Sequence, residues 1–290
     1  MSIINRTSLG QTNFRRSFMR LSITSWSFTG CTLREACGIS RALGLNAIDL
    51  GLLHGPALDR QQVLSDPKAA ADEFAGFDIG CSNVYWLFGD GLEERALSKT
   101  DALDANLKDF EAVCRFAKLV GARTLFVLPG VTEPGIAPET TLDNSARALG
   151  ELLPIAQEAG LILTVEPHIG GILNSPARTL EMVERVDGLG LTLDYAHFVT
   201  SGFTQDQIDP LLPFAQHMHL RQARPGHLQV KWGNGTIDFG EIFERLRLLD
   251  YDGFLSLEYV HQAYIETLYD DVLTETIAMR DAAIGAGVRL

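Results

Sequence analysis

The chain has 290 residues, 46% of them hydrophobic and 21% charged, the balance of a folded globular protein, which excludes a fibre or a disordered chain. Twenty-four Lys and Arg against 37 Asp and Glu leave a net charge of −13, which repels phosphate backbones and anionic lipid and argues against nucleic acid or a membrane surface as partner. The four cysteines, Cys31, Cys37, Cys81 and Cys114, show no paired short spacing, so they read as reduced thiols of a cytoplasmic chain, and no apolar run reaches the length of a membrane span.

Residues 14–20 (FRRSFMR) look like a twin-arginine export signal, which would continue into an apolar stretch. Residues 21–26 are instead short, polar at alternate positions and strand-like. The expectation is a flexible leader over 1–19 and one domain over 20–290. Beyond the leader, short apolar runs alternate with longer amphipathic ones, as in parallel strands joined by crossover helices. Strands are expected at 20–26, 46–51, 76–82, 123–129, 161–166, 190–194, 215–220 and 253–258. Helices are expected at 32–43, 58–73, 102–120, 138–159, 176–186, 204–212, 239–249 and 263–286. Local chemistry supports several joints: Ser175 is a good N-cap before Pro176, Asp252-Gly253 turns into the last strand, and Pro167 pushes Glu166 into extended geometry. Eight strand-helix units, with no Gly-rich nucleotide turn after the first, specify the α/β class and a single (β/α)8 TIM barrel.

Active sites of this architecture gather where strands end, because polar side chains inside a strand are costly to bury. Strand five ends at Glu166, strand six at Asp194, strand seven carries His217 and His219, and strand eight ends at Glu258. Glu166, Asp194, His219 and Glu258 offer three carboxylates and one imidazole, a hard donor set for a divalent ion. Mn²⁺ is favoured, with Mg²⁺, Co²⁺ or Zn²⁺ as alternatives. A divalent ion would also relieve the repulsion among the carboxylates. His217, farther from the strand end, reads as structural. His197, His168 and Arg224 are candidates for hydrogen bonds to substrate, with Arg221 a weaker one. Trp26, Trp86 and Trp232 could wall a sugar's apolar face, and Trp26 and Trp86 are the better placed.

The run from Glu166 to Glu258 resembles the xylose isomerase-like TIM barrel superfamily of sugar isomerases and epimerases. Leu193-Asp194-Tyr195-Ala196-His197 is similar to its strand-six motif, His219 matches its strand-seven histidine, and Gly253-Phe254-Leu255-Ser256-Leu257-Glu258 resembles its last metal-binding segment. The likeness implies that Asp194 binds metal, that His197 meets the substrate, and that Glu166 and Glu258 are both ligands and the acid/base pair. The segment after His219 departs from the common pattern: Arg224 falls five residues on, and Gln229, Lys231 and Trp232 follow. The substrate therefore stays open.

The expected function is a metal-dependent isomerase or epimerase of a small sugar, polyol derivative or keto-acid, working through an enediolate with the two glutamates as acid and base. The alternative is a lyase that dehydrates an inosose-like or dehydroshikimate-like compound with the same ligands. A non-catalytic sugar-binding barrel ranks below both. A DNA-repair endonuclease is disfavoured by seven histidines and the acidic charge. A homo-oligomer is left open.

Overall fold

The computed structural model describes residues 18–268 and 270–290; most of the expected leader, 1–17, lies outside them. β1 (Arg20–Thr24), β2 (Ala47–Leu50), β3 (Gly80–Trp86), β4 (Thr124–Val127), β5 (Ile162–Val165), β6 (Gly190–Asp194), β7 (Ala215–Leu220) and β8 (Phe254–Leu257) pair in parallel and in sequence order. β1 pairs with β8 from Arg20↔Phe254 to Ile23↔Leu257 and closes the barrel. The (β/α)8 fold expected from the sequence is the fold observed. No helix among the described residues is long and apolar enough to cross a membrane.

The crossovers carry α1 (Leu33–Ala42), α2 (Arg60–Ser65), α3 (Pro67–Ala75), α4 (Leu103–Leu119), α5 (Pro138–Ala159), α6 (Pro176–Arg185), α7 (Tyr195–Thr200), α8 (Gln205–Ile208), α9 (Phe239–Leu248) and α10 (Val272–Gly285). α1 starts at a capping box: the Thr32 hydroxyl accepts from Glu35 N–H at 3.3 Å, and the Glu35 carboxylate accepts from Thr32 N–H at 2.8 Å. Ser175 caps α6 ahead of Pro176, as its sequence predicts, accepting from Arg178 N–H at 3.2 Å. The main core lies between the strands and the helix shell, with Leu125, Leu163, Leu191 and Leu255 fully buried against residues such as Phe110, Phe116, Leu149, Ile242 and Phe243. On the side away from the strand ends, Arg289 N–H donates to the Met19 carbonyl (3.0 Å) and Leu21 N–H to the Arg289 carbonyl (2.6 Å), which ties the C-terminal tail beside β1.

The structure corrects four boundaries. The helix expected over 58–73 is two, because Asp66 caps a fresh helix with Pro67 at its first position. β3 starts four residues later than the expected strand at 76–82; Phe74 and Phe77 are core side chains at the end of α3, packed edge-on, and the chain turns at Asp78 with φ 54°. The single helix expected at 204–212 is a short α8 followed by a 3-10 stretch, Asp209–Phe214, while α7 begins directly after Asp194. The helix expected over 263–286 reduces to α10, preceded by a 3-10 turn, Ala263–Ile265.

The inside of the barrel is more polar than a packed aliphatic stack. Ser22, Asp49, Ser82, Asn83, Thr124, Thr164, Thr192, His217 and Ser256 are all essentially inaccessible to solvent. Most are satisfied by one another: Thr124 donates to Asn83 at 2.7 Å, and the Thr164 and Thr192 hydroxyls share a hydrogen bond at 2.8 Å. Above this layer Gly51, just after β2, gives way to an indole: a Cβ there would stand 2.7 Å from the Trp26 ring. Gly51→Ala is therefore expected to overpack the site, lowering stability by about 1–3 kcal/mol in urea denaturation. An unchanged midpoint would show that Trp26 has room to move.

Candidate active site

Each residue singled out at a strand end is held there by the sheet itself. Glu166 and Glu258 lie one residue beyond β5 and β8, yet their N–H groups still donate to the neighbouring strands, to Val127 carbonyl at 3.2 Å and Leu220 carbonyl at 3.0 Å. Asp194 is the last residue of β6 and also the N-cap of α7, its Oδ1 accepting from Ala196 N–H at 2.8 Å. His217 and His219 alternate on one face of β7. The side chains meet: one donor atom each from Glu166, His219 and Glu258 lie within 4.8 Å of one another, all buried.

His219 is the hub. Its Nδ1 stands 2.6 Å from Glu166 Oε1 and 3.4 Å from Glu258 Oε2, and its Nε2 stands 3.3 Å from Asp49 Oδ2. Burial pushes this imidazole down, but Glu258 and Glu166 outweigh it and hold its pKa well above the usual histidine range. For Glu166, burial is the larger influence and raises it, His219 pulls it back, and Glu258 and Asp194 push it up again, to about 7. The two groups meet at the 2.6 Å contact. Burial also raises Asp194, although the Arg221 guanidinium pulls the other way.

Asp49 is the functional residue that the sequence reading passed over. It belongs to β2, three strands round the barrel from β7, and accepts from His217 Nε2 at 2.7 Å and Ser82 Oγ at 2.5 Å. Burial would raise its pKa, but His217 and His219 more than reverse that and hold it below the usual carboxylate range. With Asp49 accepting the His219 Nε2 proton, Nδ1 is the nitrogen turned toward the glutamates, which is how a carboxylate fixes the tautomer of a metal-binding histidine. His217, which the sequence assigned a structural part, serves the same anchor. A signal was present in the sequence: an aspartate inside an otherwise apolar strand has to be paired.

The remaining candidates divide. Trp26 stands in the 3-10 turn after β1 and donates its indole N–H to Glu258 Oε1 at 2.7 Å. Tyr85 and Phe126, stacked at 4.6 Å, join it in a separate aromatic cluster, and both Trp26 and Phe126 meet the His219 ring edge-on. Trp86 is wholly core, and Trp232 stacks on Phe239. His197 accepts from Ile169 N–H at Nδ1, 3.1 Å, so its proton is on Nε2 beside the cluster; burial first, then Arg221, keeps this ring neutral, well below its usual pKa. His168 is buried 6.3 Å from it, ring to ring, and its Nε2 has no hydrogen-bond partner. Arg224, expected at the substrate, is exposed on a turn that pairs with His227 through backbone bonds of 3.1 and 2.9 Å. Arg221 holds the inner position instead, donating Nε and Nη2 to Asp194 Oδ2 at 2.9 and 2.6 Å.

The donor set fits a hard divalent cation. Glu258 Oε2 is buried without a hydrogen bond. Asp49, Glu166, Asp194 and Glu258 face a single guanidinium and one protonated imidazole, Arg221 and His219, leaving about two negative charges to be neutralised.

A family model described as a xylose isomerase-like TIM barrel matches residues 38–279. Among curated proteins, the inosose isomerase of Bacillus subtilis is 26% identical over 179 residues, 58% of this chain and 64% of that protein. An uncharacterized protein of Methanocaldococcus jannaschii is 32% identical over 146 residues, 44% of this chain and 49% of its own length, so the chain spans about half to two thirds of these relatives. Two solved structures share the fold: an L-ribulose 3-epimerase, with TM-score 0.70, 20% identity and coverage of 93% and 94%, and a zinc-bound IOLI protein, with TM-score 0.69, 20% identity and coverage of 92% and 99%.

Two outcomes follow from the network. Asp49→Ala strands two buried histidines and is expected to cost about 3–5 kcal/mol, measured by urea denaturation; a loss below about 1 kcal/mol would show that the histidines are satisfied without it. Glu166 and His219 keep their protons in the folded chain to higher pH than in the unfolded one. Their contribution to the stability of the metal-free protein is therefore lost as pH rises from about 4.5 through about 7 and beyond, that of Asp49 is lost only in strong acid, and the buried His168, His197 and His217, held below their usual range, lose theirs as pH falls. Chelator-treated Glu166→Gln should lose less melting temperature between about pH 5.5 and about pH 8.5 than wild type does, and an equal loss would refute the contribution of Glu166.

Proposed function

Because the chain belongs to the xylose isomerase-like TIM barrel family, we propose that it is a divalent-metal-dependent isomerase or epimerase of a small sugar, polyol derivative or keto-acid. What supports this reading is the convergence of two glutamates on one imidazole nitrogen, at 2.6 and 3.4 Å, under an aromatic wall. The residues that would hold the ion are Glu166, Asp194, His219 and Glu258. Mn²⁺ is favoured by the oxygen-rich set, with Mg²⁺, Co²⁺ or Zn²⁺ as alternatives. The ion supplies Lewis acidity, polarising a substrate carbonyl and acidifying the adjoining C–H.

The chain's own groups then do the proton work. Glu166, buried beside His219 at the exit of β5, is the group proposed to take or give one proton. Glu258 is oriented by the Trp26 N–H on Oε1, which leaves Oε2 turned toward His219. Removal of the substrate proton by one carboxylate leaves that group neutral. A proton delivered by the other to the opposite face of the same carbon gives an epimer, and one returned to the neighbouring carbon gives the aldose-ketose isomer. His197 Nε2–H and the unpartnered His168 Nε2 are the groups proposed to hydrogen-bond substrate hydroxyls. Trp26, Tyr85 and Phe126 keep water from the C–H face.

The test pairs elemental analysis with deuterium exchange from solvent into a panel of ketoses and keto-acids, with and without chelator. About one ion per chain and chelator-sensitive exchange at a single carbon are expected, and Glu258→Gln should abolish exchange while retaining the native circular-dichroism spectrum. A product short of one water would move the assignment to a dehydratase. Exchange that persists in Glu258→Gln would overturn the acid/base pair.

A further inference from the structure

Arg221 is a cation placed inside the carboxylate cluster. It follows His219 by two residues, so strand alternation sends both side chains to the same side, and it is 4% exposed. Its Nε and Nη2 both bond Asp194 Oδ2, at 2.9 and 2.6 Å, and Nη2 lies 3.3 Å from Glu258 Oε2. The other Asp194 oxygen is engaged by Ala196 N–H at the start of α7, at 2.8 Å. Oδ2 thus already accepts two N–H donors while Oδ1 accepts one, so a divalent ion that used Asp194 Oδ2 would have to displace the guanidinium. A guanidinium does not shed its proton at any working pH, so it can make way only by moving. Beside it, His197 Nε2 lies 3.1 Å from Arg221 Nη2, and its Nδ1 lies 3.1 Å from Ile169 N–H.

We propose that Arg221 is a built-in competitor for the metal, occupying Asp194 and Glu258 in the metal-free protein and surrendering them when the ion binds. The proposal rests on the metal-centred reading of the site. It makes Arg221 a positioning residue that sets metal affinity below what the four ligands alone would give, and it keeps the buried carboxylates neutralised whenever the ion is absent.

The experiment is calorimetric titration of MnCl₂ into chelator-stripped wild type, Arg221→Met, Arg221→Lys and Glu166→Gln, with melting curves in the absence and presence of saturating Mn²⁺. Arg221→Met keeps the apolar stem and removes the charge. It is expected to bind Mn²⁺ about 10- to 100-fold more tightly than wild type, to melt at a lower temperature without metal, and to recover that difference with it. Arg221→Lys, whose ammonium cannot match the guanidinium's two parallel bonds, should tighten binding by a smaller factor and covers the case in which the Met variant does not fold. Equal or weaker Mn²⁺ affinity in both Arg221 variants, with wild type binding and Glu166→Gln not, would overturn the competitor and leave the metal centre standing. No Mn²⁺ binding to wild type or to either Arg221 variant would overturn both.

Discussion

Four carboxylates, Asp49, Glu166, Asp194 and Glu258, share one end of the barrel almost out of reach of water, and the arrangement around them answers the need to neutralise that charge. Buried carboxylates without partners would shift their pKa values upward until they were protonated, or unfold the chain. Here each has a different remedy. Asp49 has two histidines and hydroxyls, Glu166 has the His219 ring, Asp194 has a guanidinium and a helix N-terminus, and Glu258 has an indole N–H on Oε1 and the longer ion pairs to His219 and Arg221 on Oε2. The least satisfied of them lies nearest the position where chemistry is proposed.

The site is layered along the barrel axis. The lower layer of serine, threonine, asparagine and histidine side chains is tied together mainly by its own hydrogen bonds, with Ser256 Oγ and His217 Nδ1 left unpaired, and carries Asp49 as its anchor. His219 joins the layers: one ring nitrogen looks down to Asp49 and the other up to the glutamates. The aromatic cluster stands apart from the main core, so the upper layer has an apolar wall of its own. Rigid support below and an exclusion surface beside the reactive groups are what preorganised proton transfer requires.

Much of this could be read from the residues alone, for a definite reason. Glu166, Asp194 and Glu258 are acidic groups at the exits of apolar strands, a pattern that survives errors of a residue or two in strand boundaries, and the eightfold alternation fixes which ends face together. Asp49 escaped because its partner lies 168 residues away in sequence: the local pattern says that an aspartate in an apolar strand must be paired, but not with which residue. Tyr85 escaped with β3: Ser82 and Asn83 interrupt its apolar run, since they serve the polar interior, and the apolar stretch just upstream drew the strand too early. Arg224 and Arg221 were both visible. Which of them turned inward depended on the tight turn at Arg224–His227, whose backbone pairing leaves the Arg224 side chain in solvent.

The Trp26–Glu258 hydrogen bond joins residues 232 positions apart, across the seam where β1 meets β8. No half of the chain contains both partners, and neither half contains both Asp49 and His217. An intermediate made of the first four units would hold Asp49 and the aromatic wall without the histidines, and one made of the last four would hold Glu166, Asp194, His219, Arg221 and Glu258 without the wall or Asp49. The wall and the anchor meet the acidic cluster only through contacts of high contact order, made as the two halves of the barrel close on each other.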